Sequence, residues 1–185
     1  MISDAVEAIA SGLVIGLPTD TVYGIAVDPV NPEAVARLFE LKGRPTGKPI
    51  GLLAASLEQA GLVADVSDRA ADLAKRHWPG ALTIIVTPRV VMADWVGDTV
   101  RSTIGIRVPD HPIAIELLEE TGPLAVTSAN VSGEPESMDD ADARAIFGES
   151  VVIYVPGSAP GGLASTVVDA TGAELVVLRE GPVRI

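Results

Sequence analysis

Two segments far apart in this chain carry residue types suited to handling a charged small molecule. Lys42-Gly43-Arg44-Pro45-Thr46-Gly47-Lys48-Pro49 sets three cations among two glycines and two prolines. Phosphate recognition needs cations at fixed positions, and arginine adds a planar fork able to hold two oxygens. Thr127-Ser128-Ala129-Asn130-Val131-Ser132-Gly133 offers hydroxyls, an amide and permissive backbone. A pocket drawing on both suits a polyphosphate and a small polar substrate, which points to a nucleotide-using enzyme. The first segment is not a Walker loop, since Gly-x-x-x-x-Gly-Lys-Ser/Thr is absent, and that ATPase mechanism has no support. A solvated loop with incidental charges is the plain alternative.

Three further segments join them. Pro18-Thr19-Asp20-Thr21-Val22-Tyr23-Gly24 can present hydroxyls and amides to a ligand, or can be a turn whose side chains bond their own backbone. In Thr103-Ile104-Gly105-Ile106-Arg107, strand alternation puts Thr103, Gly105 and Arg107 on one face. An arginine among small residues can point into a cavity and bind a carboxylate; its other reading is an ion pair with one of the abundant acids. Gly161-Gly162-Leu163-Ala164-Ser165-Thr166 is either a further ligand contact or a hairpin turn. Ser128 lacks a Gly-x-Ser-x-Gly elbow and a suitably presented histidine, so binding is a more economical role for it than nucleophilic attack. His77 and His111 are too far apart in sequence to suggest a metal cluster, and no metal-ligating set is expected.

Composition limits the classes. With 185 residues the chain is expected to form one domain, spanning 1–185, with a sizeable core. Hydrophobic residues are 48% and aromatics 3%, so that core is aliphatic. Cysteine is absent, which removes disulfides, thiolate nucleophiles and thiolate metal sites. The start carries acids where a secretory signal carries Lys or Arg, and the apolar run from Ala8 to Thr19 is too short to span a bilayer. A cytoplasmic protein with no membrane association is expected. The net charge of −12 argues against non-specific coating of nucleic acid. From Leu41 to Leu57 there are three cations and no acid, whereas from Val108 to Leu178 Arg144 faces twelve acids. One localised anion site in an acidic protein fits that distribution.

The elements that must position these groups are short. Apolar runs predict strands at Leu13–Leu17, Ile50–Ala54, Leu82–Val86, Ile104–Val108, Leu124–Thr127, Val151–Val155, Thr166–Asp169 and Leu175–Leu178. Asn31-Pro32-Glu33 predicts a capped helix that brings Lys42 near its end. Ser67 caps a helix to about His77, and Asp139 caps one to Phe147. His111-Pro112 opens a helix through Glu120 that Gly122 stops in a left-handed conformation. The alternation is not strict, so the fold class expected is α/β (α+β): a twisted mixed β-sheet with helices packed against it.

Taken in order, these segments resemble the YrdC-like family of threonylcarbamoyl-AMP synthases, across Pro18-Thr19-Asp20-Thr21-Val22-Tyr23-Gly24 to Leu178-Arg179-Glu180-Gly181-Pro182. The resemblance is to its short, single-domain form. It implies that threonylcarbamoyl-AMP and pyrophosphate are formed from L-threonine, bicarbonate and ATP. The product would pass to a downstream tRNA threonylcarbamoyl-transfer complex, for N6-threonylcarbamoylation of adenosine 37. Lys42, Arg44, Ser128 and Asn130 match the family's Lys-x-Arg and Ser-x-Asn catalytic positions. Thr21, Arg107, Ser128 and Ser165 match positions associated with threonine; Arg44, Lys48, Thr103, Asn130 and Arg179 match those associated with ATP. Mg2+ would be carried by the ATP phosphates. Many relatives have a histidine near Leu53, where this strand is apolar, and Ser-Pro-Thr where this chain has Ser137-Met138-Asp139. The alternative is a non-catalytic paralogue that binds double-stranded RNA or tRNA or associates with ribosomes; a weak tRNA or double-stranded RNA contact is compatible with either.

Overall fold

Side-chain caps and apolar alternation divide this chain as it folds. The computed structural model describes residues 1–43, 45 and 47–185; Arg44, one of the candidate site residues, lies outside the described residues. The order is α1 (Ile2–Ala10), β1 (Ile15–Leu17), β2 (Gly24–Val27), α2 (Pro32–Lys42), β3 (Gly51–Leu53), α3 (Leu57–Val63), β4 (Ala64–Asp65), α4 (Asp68–His77), β5 (Leu82–Pro88), β6 (Ile104–Arg107), α5 (Pro112–Thr121), β7 (Leu124–Ser128), α6 (Asp140–Phe147), β8 (Ile153–Tyr154), β9 (Thr166–Asp169) and β10 (Val176–Arg179).

The expected caps are present. Asn31 accepts from the Ala34 amide at 3.0 Å, and α2 runs until Gly43 takes a left-handed conformation (φ 56°, ψ 34°). Ser67 accepts from Ala70 at the start of α4, and Asp139 accepts from Asp142 at the start of α6. At the end of α5, Gly122 has a positive φ of 80° but an extended ψ of −174°, so it is not the left-handed stop expected. His111 is the residue before α5, yet its side chain makes no cap bond, and its buried Nδ1 has no hydrogen-bond partner.

The strands form one mixed sheet in the order β10-β9-β5-β6-β3-β7-β2-β1-β8, with β4 paired to β5 beside that path. Three pairings are parallel: β1 with β8, β3 with β6, and β5 with β9. Alternation then sorts side chains to two faces. Leu82, Ile84 and Val86 of β5, Ile104 and Ile106 of β6, and Val168 of β9 join the larger apolar cluster. There they meet Val35, Leu38 and Phe39 of α2 and Leu73 and Ala74 of α4. Each fully buried Leu or Ile contributes on the order of 2 kcal/mol.

The opposite face is only partly covered. Ala5, Ala8 and Ile9 of α1 and Ala114, Leu117 and Leu118 of α5 pack on Ile15, Leu17, Ala26, Leu53 and Leu124. That second cluster covers the part of the sheet around β1. Among the described residues no helix belongs to it over β6, β5 and β9, and the cavity described below opens there. Among the described residues no helix is long and apolar enough to cross a membrane.

Candidate active site

The uncovered face is a cleft because its floor lacks side chains. Gly24 of β2, Gly51 of β3 and Gly105 of β6 all line a cavity of about 570 Å³. A Cβ on Gly51 would come within 2.8 Å of the Gly105 carbonyl oxygen, and one on Gly24 within 2.9 Å of Val126. The cavity falls in the usual range for small-molecule sites, about 300–1,000 Å³. Its wall takes residues from loops as well as strands: Thr19, Thr21, Pro49, Thr103, Ser128 and Ser165 among them.

At one end Arg107 is held from three sides. Its Nε donates to the Gly80 carbonyl at 3.0 Å and one Nη to Thr21 Oγ1 at 3.0 Å, while the other Nη pairs with the Asp20 carboxylate. The side chain is 8% exposed and lines the cavity. The ion pair expected as one reading of Arg107 is present, with Asp20, and the fork it fixes still faces the cavity. Thr21 is buried and also lies 3.2 Å from Thr19 Oγ1. Asp20 sits inside a motif singled out from the sequence, but nothing in its type or spacing revealed which partner it would take.

Beside Arg107 in the strand register, Ser165 joins β5 and β10. Its hydroxyl lies 2.8 Å from Thr83 Oγ1 and accepts from Arg179 at 3.1 Å; Arg179 Nε also donates to the Ser165 carbonyl at 3.0 Å. Arg179 and Ser165 line the cavity with Thr103. Thr83 was missed from the sequence because its strand reads as core; its only signal was alternation against Leu82 and Ile84.

Lys42 and Asn130 meet, but behind the wall rather than in it. In the last turn of α2, Lys42 is 2% exposed. Its ammonium donates to the Ser128 carbonyl at 2.7 Å, Ser128 Oγ at 3.3 Å and Asn130 Oδ1 at 2.6 Å. Asn130 also accepts from Ser128 Oγ at 2.7 Å and donates to the carbonyls of Val131 and Glu134. Of this triad, Ser128 lines the cavity. Lys48 is exposed, next to Pro49 and Ile50, which line it. The candidates thus fall into a cavity group (Thr21, Thr103, Arg107, Ser128, Ser165, Arg179), a supporting pair (Lys42, Asn130) and a rim residue (Lys48).

Among the described residues no group of three or more His, Cys, Asp or Glu could hold a metal ion. The cavity carboxylates Asp98, Glu136 and Asp169 come from separate segments. That donor set fits a divalent cation that arrives on phosphate oxygens rather than one held in a protein cage.

A model of the Sua5–YciO–YrdC family, described as "Telomere recombination", matches residues 7–181. A Mycobacterium tuberculosis protein provisionally named a threonylcarbamoyl-AMP synthase is 44% identical over 184 residues, covering 98% of this chain and 84% of its own. A Vibrio campbellii threonylcarbamoyl-AMP synthase is 36% identical, covering 95% of this chain and 96% of its own. The crystal structure of Pyrococcus abyssi Sua5 complexed with L-threonine superposes with a TM-score of 0.90 at 36% identity, covering 97% of this chain. This chain spans 54% of that protein's length.

Proposed function

The chain belongs to the Sua5–YciO–YrdC family, and from that premise we propose that it is an L-threonylcarbamoyladenylate synthase. It forms threonylcarbamoyl-AMP and pyrophosphate from L-threonine, bicarbonate and ATP. The observation that carries this reading is Arg107: a buried fork, clamped by Asp20, Thr21 and Gly80, at one end of a cavity with a glycine floor. A fork so fixed suits the carboxylate of a small amino acid, and a threonine complex is known for the Pyrococcus abyssi relative.

The chemistry needs no protein nucleophile. Threonine's amine forms a C–N bond to the bicarbonate carbon with loss of water, and an oxygen of the resulting carbamate forms a bond to the α-phosphorus of ATP. The bond to pyrophosphate breaks, and its electron pair leaves on the pyrophosphate oxygen. What the protein must supply is alignment and charge stabilisation. Arg107 and Thr21 orient the threonine, with Ser165 and Ser128 also lining the cavity. Thr103 and Arg179 line the space left for the nucleotide and Lys48 lies next to lining residue Pro49, while Arg44 is assigned to the nucleotide by its match to the family's Lys-x-Arg pattern. Lys42 and Asn130 hold Ser128 in place. Mg2+ on the phosphates supplies further charge neutralisation when bound. The product would be used for transfer to tRNA adenosine 37 by a downstream complex, and a cytoplasmic location accords with that use.

Pyrophosphate release tests the reading: it should require L-threonine, bicarbonate and ATP together. Arg107→Gln should raise the KM for threonine about 30-fold, the range of a lost charge-assisted hydrogen bond, and leave the KM for ATP near that of the parent. A threonine dependence unaltered by Arg107→Gln would reject the site, and release without threonine would reject the reaction.

A further inference from the structure

The reading above leaves one cavity-lining cation unassigned. Arg101 lies on the cavity wall, in a hairpin that the sequence did not mark as functional. We propose that Arg101 contacts the polyphosphate of the nucleotide, on the side that leaves as pyrophosphate. The inference rests on the nucleotide-using reading of this cavity and adds to it a residue that neither motif supplied.

Three observations carry it. The first is that the hairpin is rigid. Asp98 N donates to the Thr103 carbonyl at 2.7 Å and Thr103 N returns a bond to the Asp98 carbonyl at 3.0 Å. Asp98 Oδ1 accepts from the amides of Val100 and Arg101, both at 3.0 Å. Gly97 has φ 75°, and a Cβ there would sit 2.6 Å from the Thr103 oxygen; Ser102, without that freedom, has φ 53°. Such backbone persists only where its surroundings hold it.

The second observation is place. Ile50 N donates to the Trp95 carbonyl and Gly97 N to the Ile50 carbonyl, each at 2.9 Å. The hairpin is therefore fixed to the strand that directly follows the cationic Lys42–Pro49 loop. Thr103 and Arg107 are four residues apart along the strand direction, about 13 Å. Arg101 stands beyond Thr103, so the carboxylate-holding fork and Arg101 mark opposite ends of one cleft. A substrate pair with a carboxylate at one end and a triphosphate at the other matches that separation.

The third observation is how loosely the guanidinium is held. Arg107 is bound by Asp20, Thr21 and Gly80, and Arg179 by Ser165. Arg101 is 76% exposed, and its Nε lies 3.8 Å from Asp98 Oδ2, beyond hydrogen-bond distance. A fixed Cα with an uncommitted fork is suited to closing on phosphate oxygens.

The test compares the parent chain with Arg101→Gln and Arg101→Lys. Calorimetric titration with pyrophosphate and with a non-hydrolysable ATP analogue gives affinities, and steady-state rates give the KM for each substrate. Arg101→Gln should weaken pyrophosphate and analogue binding about tenfold and raise the KM for ATP, with the KM for threonine and the melting temperature unchanged. Arg101→Lys should recover part of the loss. Pyrophosphate affinity unchanged in Arg101→Gln, or a loss shared equally by threonine, overturns the assignment while leaving the synthase reading intact. A parent chain that binds neither nucleotide nor pyrophosphate overturns both.

Discussion

At the scale of single residues, the difference between Lys42 and Arg107 decides what each can do. Both are cations buried to less than a tenth of their surface exposed. Arg107 faces the cavity, whereas the Lys42 ammonium donates to Ser128 and Asn130. Lys42 thus sets the shape of the 128–134 turn, and the Ser132 amide bonding to the Lys42 carbonyl at 2.8 Å ties the same turn to the end of α2. Lys42→Met keeps the stem but leaves the Ser128 carbonyl and Asn130 Oδ1 short of a donor in a buried site. We expect a loss of about 2–3 kcal/mol in urea unfolding, together with a steep fall in pyrophosphate release. Lys42→Arg should not rescue activity, since a planar fork cannot reproduce a point ammonium in a closed space. Full activity in Lys42→Met would show that the turn holds its shape without the lysine.

At the scale of elements, strands with small residues make the site by what they omit. Gly51 and Gly105 lie side by side on β3 and β6, and the contact that a Gly51 side chain would meet is backbone, which cannot swing aside. Gly51→Ala should therefore force the strands apart, costing about 1–3 kcal/mol and narrowing the cavity floor. Gly47→Ala, with nothing within 4 Å among the described residues, is the control and should leave the melting temperature unchanged. Equal melting temperatures for the two variants would remove the packing argument. These elements also show what was legible beforehand. Caps at Asn31, Ser67 and Asp139, and the aliphatic runs of β5, β6, β7 and β9, follow from local chemistry, and the structure has them where expected. Among the described residues, α1, β2, α3, β4 and the short 3-10 turn at Gly148–Ser150 were not anticipated. The helix α1 has a cap residue, Met1, that makes no side-chain bond, and β2 is a four-residue run whose burial comes from neighbours on both sides. The site was legible as residue types, but not as roles. That Lys42 turns inward, that Asp20 clamps Arg107, and that Arg101 reaches the cavity all depend on register between distant segments.

At the scale of the whole molecule, charge separates a small anion from a large one. The chain carries a net charge of −12, while Arg101, Arg107 and Arg179 line one cavity. Fields are screened over about 8 Å at physiological ionic strength. A triphosphate inside the cavity therefore feels Arg101, Arg107 and Arg179 together with the lining acids Asp98, Glu136 and Asp169, and is screened from the acids of the outer surface. A tRNA extends over many screening lengths and meets the acidic surface, including Glu134, Glu136, Asp139, Asp140 and Asp142 near the Asn130 turn. Sequence-independent RNA affinity comes from many phosphate contacts at once, and this surface offers few. In fluorescence polarisation at about 0.15 M salt, labelled tRNA should show no saturable binding at micromolar protein, while the ATP analogue still binds. That outcome would accord with the proposal that a downstream complex contacts the tRNA and that this chain hands over a small activated product. Saturable tRNA binding that weakens steeply with salt, in a chain that turns over no ATP, would instead identify the RNA-binding paralogue.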